Sequence, residues 1–227
     1  MDINYLILHY QDAEMTERSL EAFEQSVAGN SGKSIWLTVI DNGSPIPYEP
    51  RWNGVRVLRL DENLPVIEAW NAGMRAYPTD IYFCANNDVF PEQGCIEKLV
   101  AALDDPTVGI VAPGTNDGSV GRMTVAYPNE LPDLDLNHVD GALWGWRQDL
   151  LDAIGYPDCE GHTHQMCWAS NQDFSYRARM AGYRVVCVRQ AYVNHEHKPS
   201  YDRNAAYTAG VEWLIRKWGE DAPKVWA

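Results

Sequence analysis

The sequence predicts an α/β fold, a mostly parallel sheet covered by helices in a single domain. Short apolar runs alternate with helix-spaced segments through the first half, and those runs stop abruptly at clusters of Asn, Asp and Gly. No repeat, linker or low-complexity tract divides the chain.

Ile3–Tyr10 is an apolar run without alternation, the pattern of a strand buried on both faces. Thr16–Phe23 follows with helical spacing; Thr16 is the expected cap and Ser19, Leu20 and Phe23 the inward stripe. Strands are expected at Ile35–Ile40, Val55–Leu60 and Ile81–Cys84, with a helix at Pro65–Tyr77. Pro91 is expected to open a helix reaching Leu103, since a missing N–H costs nothing in a first turn. In the second half Val108–Ala112 reads as a strand and Asn116-Asp117-Gly118-Ser119 as a hairpin turn. Residues 128–138 read as a loop, Ala142–Trp146 as an apolar segment, and Arg147–Ile154 as a helix closed by Gly155. A loop at 156–170, a helix at Asn171–Ala181, a strand at Tyr183–Val188 and a closing helix at 202–218 complete the chain.

The 227 residues carry 32 acidic and 18 basic side chains, a formal net charge of -14. That balance disfavours nucleic acid as a partner, because affinity for a duplex depends on Lys and Arg neutralising phosphates. It is compatible with a small phosphorylated ligand bridged by a divalent cation. The longest apolar runs, Tyr5–Leu8 and Val185–Val188, fall far short of the ~20 residues that cross a bilayer, so no membrane span is expected. No basic start followed by an apolar segment reads as a secretory signal. The five cysteines are odd in number and scattered, and Cys84 and Cys187 sit in apolar strands as small hydrophobes. A cytoplasmic protein without a disulfide framework is expected.

In sheets of this kind ligands bind beyond the carboxyl ends of the strands. Those ends carry Tyr10-Gln11, Asp41-Asn42 and Asn86-Asn87-Asp88. Asp88 offers a hard oxygen ligand to Mg²⁺ or Mn²⁺ with positions left for phosphate oxygens. Asp41 suits a base N–H. Either residue suits a turn or cap equally well.

Motifs follow one another from Ile7 to about Ser200: Ile7–Tyr10 with its helix, Val39-Ile40-Asp41-Asn42-Gly43-Ser44, Glu62-Asn63-Leu64, Asn71-Ala72-Gly73, Asn86-Asn87-Asp88 with Pro91, and Asp117-Gly118-Ser119. Gly141-Ala142 with Arg147, Asp173-Phe174 with Arg177, Ala181-Gly182-Tyr183, and Val193 with His195 complete the series. In this order they resemble the family 2 glycosyltransferases of the GT-A fold, nearest the rhamnosyltransferase-like branch. The resemblance implies a Rossmann-like, mixed, mostly parallel sheet flanked by helices. It implies a nucleotide-binding half at 1–90, an acceptor-binding half at 91–200 and a C-terminal helix at 201–227. The implied activity is metal-dependent, inverting transfer of a sugar from a nucleotide-diphosphate sugar, a UDP-sugar foremost, to a hydroxyl of a glycan, protein or small-molecule acceptor.

Residue by residue, the resemblance sets Asp41 against the nucleotide base and Asn71 and Gly73 on the helix beside the diphosphate. Asp88 matches the metal-touching end of the family's D-x-D motif. Asn86 matches its first position, where an amide suits ribose or sugar hydroxyls. Tyr10, Asn42, Asn63 and Asn87 complete the expected donor set. His195 matches a histidine that completes the metal site in relatives, and imidazole favours Mn²⁺ over Mg²⁺. Without the resemblance, His195 reads as a solvated loop histidine.

The usual base position holds Asn171, an amide without useful proton affinity. Asp173 remains, four residues before Arg177, a spacing that suits a base and an intrahelical pair alike. Asp158 and Glu160 in the adjoining loop are the further carboxylates. Trp144 and Trp168 fall in the acceptor half and suit stacking on sugar, although the period-two spacing of Trp144 and Trp146 also suits core packing. Cys159, His162, His164 and Cys167 form a C-x₂-H-x-H-x₂-C pattern, read either as structural zinc or as a mobile loop over the acceptor. Asn171 also raises a non-catalytic nucleotide-sugar or glycan-binding module. A nucleotidyltransferase is disfavoured, because the loop after the first strand is acidic and lacks glycine.

Overall fold

The computed structural model describes residues 1–27, 34–116, 123, 132–196 and 201–226. Apolar runs buried on both faces become the central strands. β1 (Asp2–His9), β2 (Ser34–Asp41), β3 (Val55–Arg59) and β4 (Ile81–Asn86) pair in parallel in the order β3-β2-β1-β4. Parallel neighbours need a crossover. α1 (Ala13–Ser26) joins β1 to β2, and α2 (Val66–Ala76) joins β3 to β4. After β5 (Val89–Pro91) and α3 (Cys95–Ala102) come β6 (Val108–Thr115), β7 (Leu134–Asp135) and β8 (Leu143–Arg147). The sheet continues from β4 as β8-β6-β9-β5, where β9 is Arg184–His195. β8 runs antiparallel to both β4 and β6, while β6 and β9 are parallel. α4 (Gln148–Ile154), α5 (Ser170–Met180), α6 (Arg203–Trp218) and α7 (Ala222–Trp226) complete the elements.

Two apolar layers sandwich the sheet. Ile3, Tyr5 and Ile7 of β1 pack with Leu20 and Phe23 of α1 and Ile96 and Leu99 of α3. On the opposite face Leu6, Ile40, Tyr82, Cys84, Trp144 and Trp146 pack with Ile67, Trp70 and Met74 of α2 and Phe174 of α5. Alternate residues of β1 thus serve opposite layers. A smaller cluster of Tyr176, Trp213, Leu214 and Val225 fastens α5, α6 and α7 together. All five cysteines are buried and unbridged. Among the described residues no helix is long and apolar enough to cross a membrane.

Several local expectations change. The N-cap of α1 is Asp12, whose carboxylate accepts from the Met15 N–H, and Thr16 lies a turn inside the helix. Pro91 ends β5 and does not open α3. It is tolerated there because β5 is an edge strand, where a missing N–H breaks no ladder. β9 runs well past Val188: a register irregularity between Pro113 and Gly114 of β6 lets it bulge and resume from Tyr192, so His195 ends a strand. The turn expected at Asn116–Ser119 falls from Asp117 onward outside the described residues, as do residues 128–131 of the expected loop. Within the rest of that predicted loop, Leu134–Asp135 pairs with β9.

Candidate active site

The strand order reverses between β1 and β4, which is where open α/β sheets form their ligand crevice. Register places His9 beside Asp41 and Leu8 beside Asn86, so the polar strand ends meet along one edge. Tyr10 is largely exposed at the tip of β1. Behind it, Thr16 Oγ donates to the Asp12 carbonyl at 3.0 Å, which spends its only proton. The hydroxyl therefore accepts from His9 Nδ1 at 2.7 Å and from the Asn87 amide at 3.2 Å. That network places a proton on His9 Nδ1, and burial lowers the pKa of the ring.

Much of the expected donor set is turned inward. Asp41 is fully buried; Oδ1 accepts from Ser44 N–H at 3.0 Å, and Oδ2 accepts from Tyr48 N–H at 2.9 Å and from Arg59. Burial alone would raise its pKa, but these hydrogen bonds outweigh burial and hold it below the usual range. Asp41 therefore closes the turn. The turn needs Gly43, whose φ is +69° and whose missing Cβ would lie 2.3 Å from the Glu62 carbonyl carbon. Asn42 donates to Asn63 Oδ1 and to Leu64 O, both at 2.9 Å, and accepts from Leu64 N–H, so Asn42 and Asn63 staple two loops. Asn71 donates to Pro157 O at 2.9 Å and ties α2 to the 156–169 loop. Gly73 faces the sheet: a Cβ there would stand 2.5 Å from Ile40 Cδ1, so glycine sets the approach of helix to strand.

Asp88 and His195 do meet. β5 and β9 pair with Val89 opposite His195, and the Glu196 N–H donates to Asp88 O at 2.9 Å. This brings His195 Nε2 to 3.3 Å from Asp88 Oδ1. The imidazole is 5% exposed and the carboxylate 18%, and Asp88 Oδ1 is buried without a hydrogen bond. Asn116 grips the His195 backbone, accepting from its N–H at 2.6 Å and donating to its carbonyl at 3.3 Å. Among the described residues no cluster of three or more His, Cys, Asp or Glu forms a closed metal site. One orphaned carboxylate oxygen beside one imidazole suits a divalent ion that takes its remaining oxygens from a diphosphate.

Next to this pair lies a cavity of about 220 Å³. Asn86, His195 and Asp140 line it together with Trp70, Trp144 and Trp168, while Tyr201 and Arg203 approach from the α6 side. Trp70 Nε1, Trp144 Nε1 and Gln172 Oε1 are buried without hydrogen-bond partners, and all three residues border the cavity. Trp144 is fully buried in an aromatic cluster, 4.8 Å from Trp146 and 5.7 Å from Phe174 between ring centroids. It belongs first to the core. Trp168 is half-buried and stacks edge-on with Tyr207.

The carboxylate of Asp173 is not at this cavity. It is 0% exposed; Oδ2 accepts from Arg177 Nε at 3.0 Å, and Oδ1 accepts from Trp218 Nε1 at 2.8 Å with Lys217 Nζ 2.9 Å away. Asp173 therefore fastens α5 to α6, and the geometry gives it no access to an acceptor hydroxyl. Asp158 is paired with Lys217 at 2.6 Å. The Cys–His loop does not assemble zinc ligands: His162 Nε2 donates to Trp168 O, its Nδ1 accepts from His164 N–H, and His164 Nδ1 accepts from Met166 N–H. Both imidazoles organise the loop, which Trp213 also holds through Glu160 O.

Sequence reasoning missed Asp140, Asn116, Tyr201 and Arg203. The signal for Asp140 was its place immediately before Gly141-Ala142. Nothing comparable marked the other three.

The family model for glycosyl transferase family 2 matches residues 7–130. Two curated relatives, the pre-mycofactocin glycosyltransferases of Mycobacterium tuberculosis strains CDC 1551 and H37Rv, are each 24% identical over 204 residues, 82% of this chain and 40% of the relative. The chain thus spans well under half the length of these relatives. Similar solved structures include GalNAc-T7 with UDP, GalNAc and Mn²⁺ (TM-score 0.73, 15% identity, 98% of this chain and 49% of that one). They also include the Pyrobaculum calidifontis mannosyltransferase PcManGT with GDP-Man and Mn²⁺ (0.65, 15%, 98% and 67%) and S. aureus TarS with UDP-GlcNAc (0.65, 12%, 99% and 69%).

Proposed function

This chain belongs to glycosyl transferase family 2, and from that premise we propose that it transfers a sugar from a nucleotide-diphosphate donor to a hydroxyl acceptor with inversion at the anomeric carbon. The observation that carries this reading is the Asp88–His195 pair, set at the crevice end of β4 beside the cavity that Asn86 lines. In this reading Asp88 and His195 hold a divalent metal, with Mn²⁺ favoured over Mg²⁺ by the imidazole. When bound, such an ion offsets the negative charge that builds on the leaving diphosphate. Asn86 meets ribose or sugar hydroxyls, and Tyr10 lies at the rim for the nucleoside. Trp168 supplies an aromatic face to the acceptor. Residues 1–90 serve the nucleotide, 91–200 the acceptor, and 201–227 close the second half. The solved neighbours named with UDP or GDP-Man support a nucleotide-sugar donor, UDP-sugar foremost. The buried, unbridged cysteines suit a reducing, cytoplasmic setting.

A second reading, a binding module without catalysis, is favoured by Asn171 and by the full engagement of Asp173. The two separate in one experiment. Purified protein is incubated with UDP-GalNAc, UDP-GlcNAc or GDP-mannose, with and without Mn²⁺, and both thermal shift and nucleoside-diphosphate release are followed. Release above the uncatalysed rate supports transfer. A thermal shift without release supports the module.

A further inference from the structure

We propose that Asp140 is the general base of the transfer reaction and that Asn171, in the position where a base is expected, holds the loop that carries it. The inference rests on the glycosyl-transfer reading. Asp140 is the one Asp or Glu among the residues lining the cavity, and it is 8% exposed. Its Oδ1 accepts from the Ala142 N–H at 2.9 Å, and the Ala142 carbonyl accepts from the Asn86 N–H at 2.9 Å. Two hydrogen bonds therefore tie the carboxylate to Asn86 at the end of β4, two residues before Asp88. Tyr201 lines the same cavity; burial raises the pKa of its phenol against a lowering bond with Trp168, and the charges of Asp140 and Asp88 add to the rise.

Asn171 holds the residue before Asp140 and borders the one after it. Its Nδ2 donates to the Val139 carbonyl at 2.5 Å, and its Cβ and Cγ lie 3.9 Å from where a Cβ on Gly141 would stand. A carboxylate at 171 would have no proton to give the Val139 carbonyl. It would also set a second negative charge beside Asp140, where like charges oppose ionisation of both. The amide thus removes a base from one wall of the cavity while orienting another. Asp173 is engaged with Arg177, Lys217 and Trp218 and Asp158 with Lys217, and Glu160 does not line the cavity.

In the step this implies, the Asp140 carboxylate takes the proton of the acceptor hydroxyl. The electron pair of that oxygen forms the bond to the anomeric carbon. The bond from that carbon to the phosphate oxygen breaks, its electron pair stays on the nucleoside diphosphate, and the proton on Asp140 passes to solvent.

The test compares wild type, Asp140→Asn, Asp140→Glu and Asp173→Asn, with UDP-GalNAc, UDP-GlcNAc or GDP-mannose as donor, Mn²⁺ present and water as acceptor. Asparagine keeps the oxygen that accepts from Ala142 and lacks the proton affinity. We expect Asp140→Asn to bind donor with wild-type Kd while kcat falls about 10²–10⁴-fold, the usual weight of a general base. Asp140→Glu should regain part of that loss, and Asp173→Asn should keep kcat near wild type wherever it folds. Wild-type turnover that survives Asp140→Asn overturns the proposal and leaves glycosyl transfer standing, as does loss of donor binding along with turnover. A wild type that binds every donor and releases no nucleoside diphosphate overturns both.

Discussion

His195 Nε2 lies 3.3 Å from Asp88 Oδ1, although the two residues stand 107 positions apart in the sequence. The edge strands β5 and β9 close that distance, and Asn116 locks the histidine backbone. Because the pair is the only point at the crevice where an orphaned carboxylate oxygen faces an imidazole among the described residues, metal-linked donor binding should depend on both side chains. At a donor concentration of about 100 times Kd, wild type with Mn²⁺ should gain about 2.7 kcal/mol of stability. Asp88→Ala and His195→Ala should each lose most of that gain. Differential scanning fluorimetry with UDP-GlcNAc and GDP-mannose reads it directly, and a gain that persists in both variants contradicts the assignment.

Asp173→Ala should act on stability. It removes the acceptor that Arg177, Lys217 and Trp218 share at the α5–α6 junction, leaving Lys217 to Asp158 and Arg177 to backbone carbonyls. Breaking a buried pair typically costs about 3–5 kcal/mol. Arg177 and Lys217 keep some solvent access, so a loss near about 3 kcal/mol is expected. Urea unfolding measures it; an unchanged midpoint would show that these contacts do not hold the helices.

Gly43→Ala should cost about 2 kcal/mol or more, combining left-handed backbone strain with overpacking. The added carbon would meet Glu62 backbone, which cannot swing aside as a side-chain tip can. The same unfolding assay, together with weaker donor binding from a displaced Asn42–Asn63 staple, checks this.

Stability should fall as pH drops below the ordinary histidine value. Burial lowers the pKa of His9, His138 and His162, with Arg179 adding to the effect at His138. The unfolded chain then binds more protons than the native one, so unfolding is favoured as pH falls through 6.5. The slope is at most about 1.4 kcal/mol per pH unit for each imidazole. The lowered carboxyls of Asp41 and Asp158 add a second loss below their unfolded value of 3.8. Urea midpoints in EDTA at pH 7.5, 6.5 and 5.5 should decline steadily, and a flat series contradicts the burial of these rings.

The fold was legible because parallel strands buried on both faces write themselves as unbroken apolar runs, and because β1 through β4 recur with their helices. β5 and β7 escaped notice because each is an edge strand of two or three residues. The end of β9 was hidden by polar Arg189-Gln190 at the bulge. Within the site, residue type located the edge correctly but could not tell a ligand contact from a staple. Asp41, Asn42, Asn71 and Asn87 each bond to neighbouring backbone or side chains, with Asn71 Oδ1 left without a partner. Asp173 and Arg177 show the same limit: the four-residue spacing announced an ion pair, and only the contacts of Trp218 and Lys217 reveal that the carboxylate is consumed. Asp140 lay unremarked in an irregular segment, since no periodicity marks a loop residue whose value comes from the cavity it borders.

The measurement that bears most directly on the account is nucleoside-diphosphate release by the purified chain, supplied with Mn²⁺ and each of UDP-GalNAc, UDP-GlcNAc and GDP-mannose, alongside Asp88→Ala. Release from at least one donor is expected, dependent on metal and abolished in the variant. Release from none of them, or release that survives both EDTA and Asp88→Ala, contradicts that expectation.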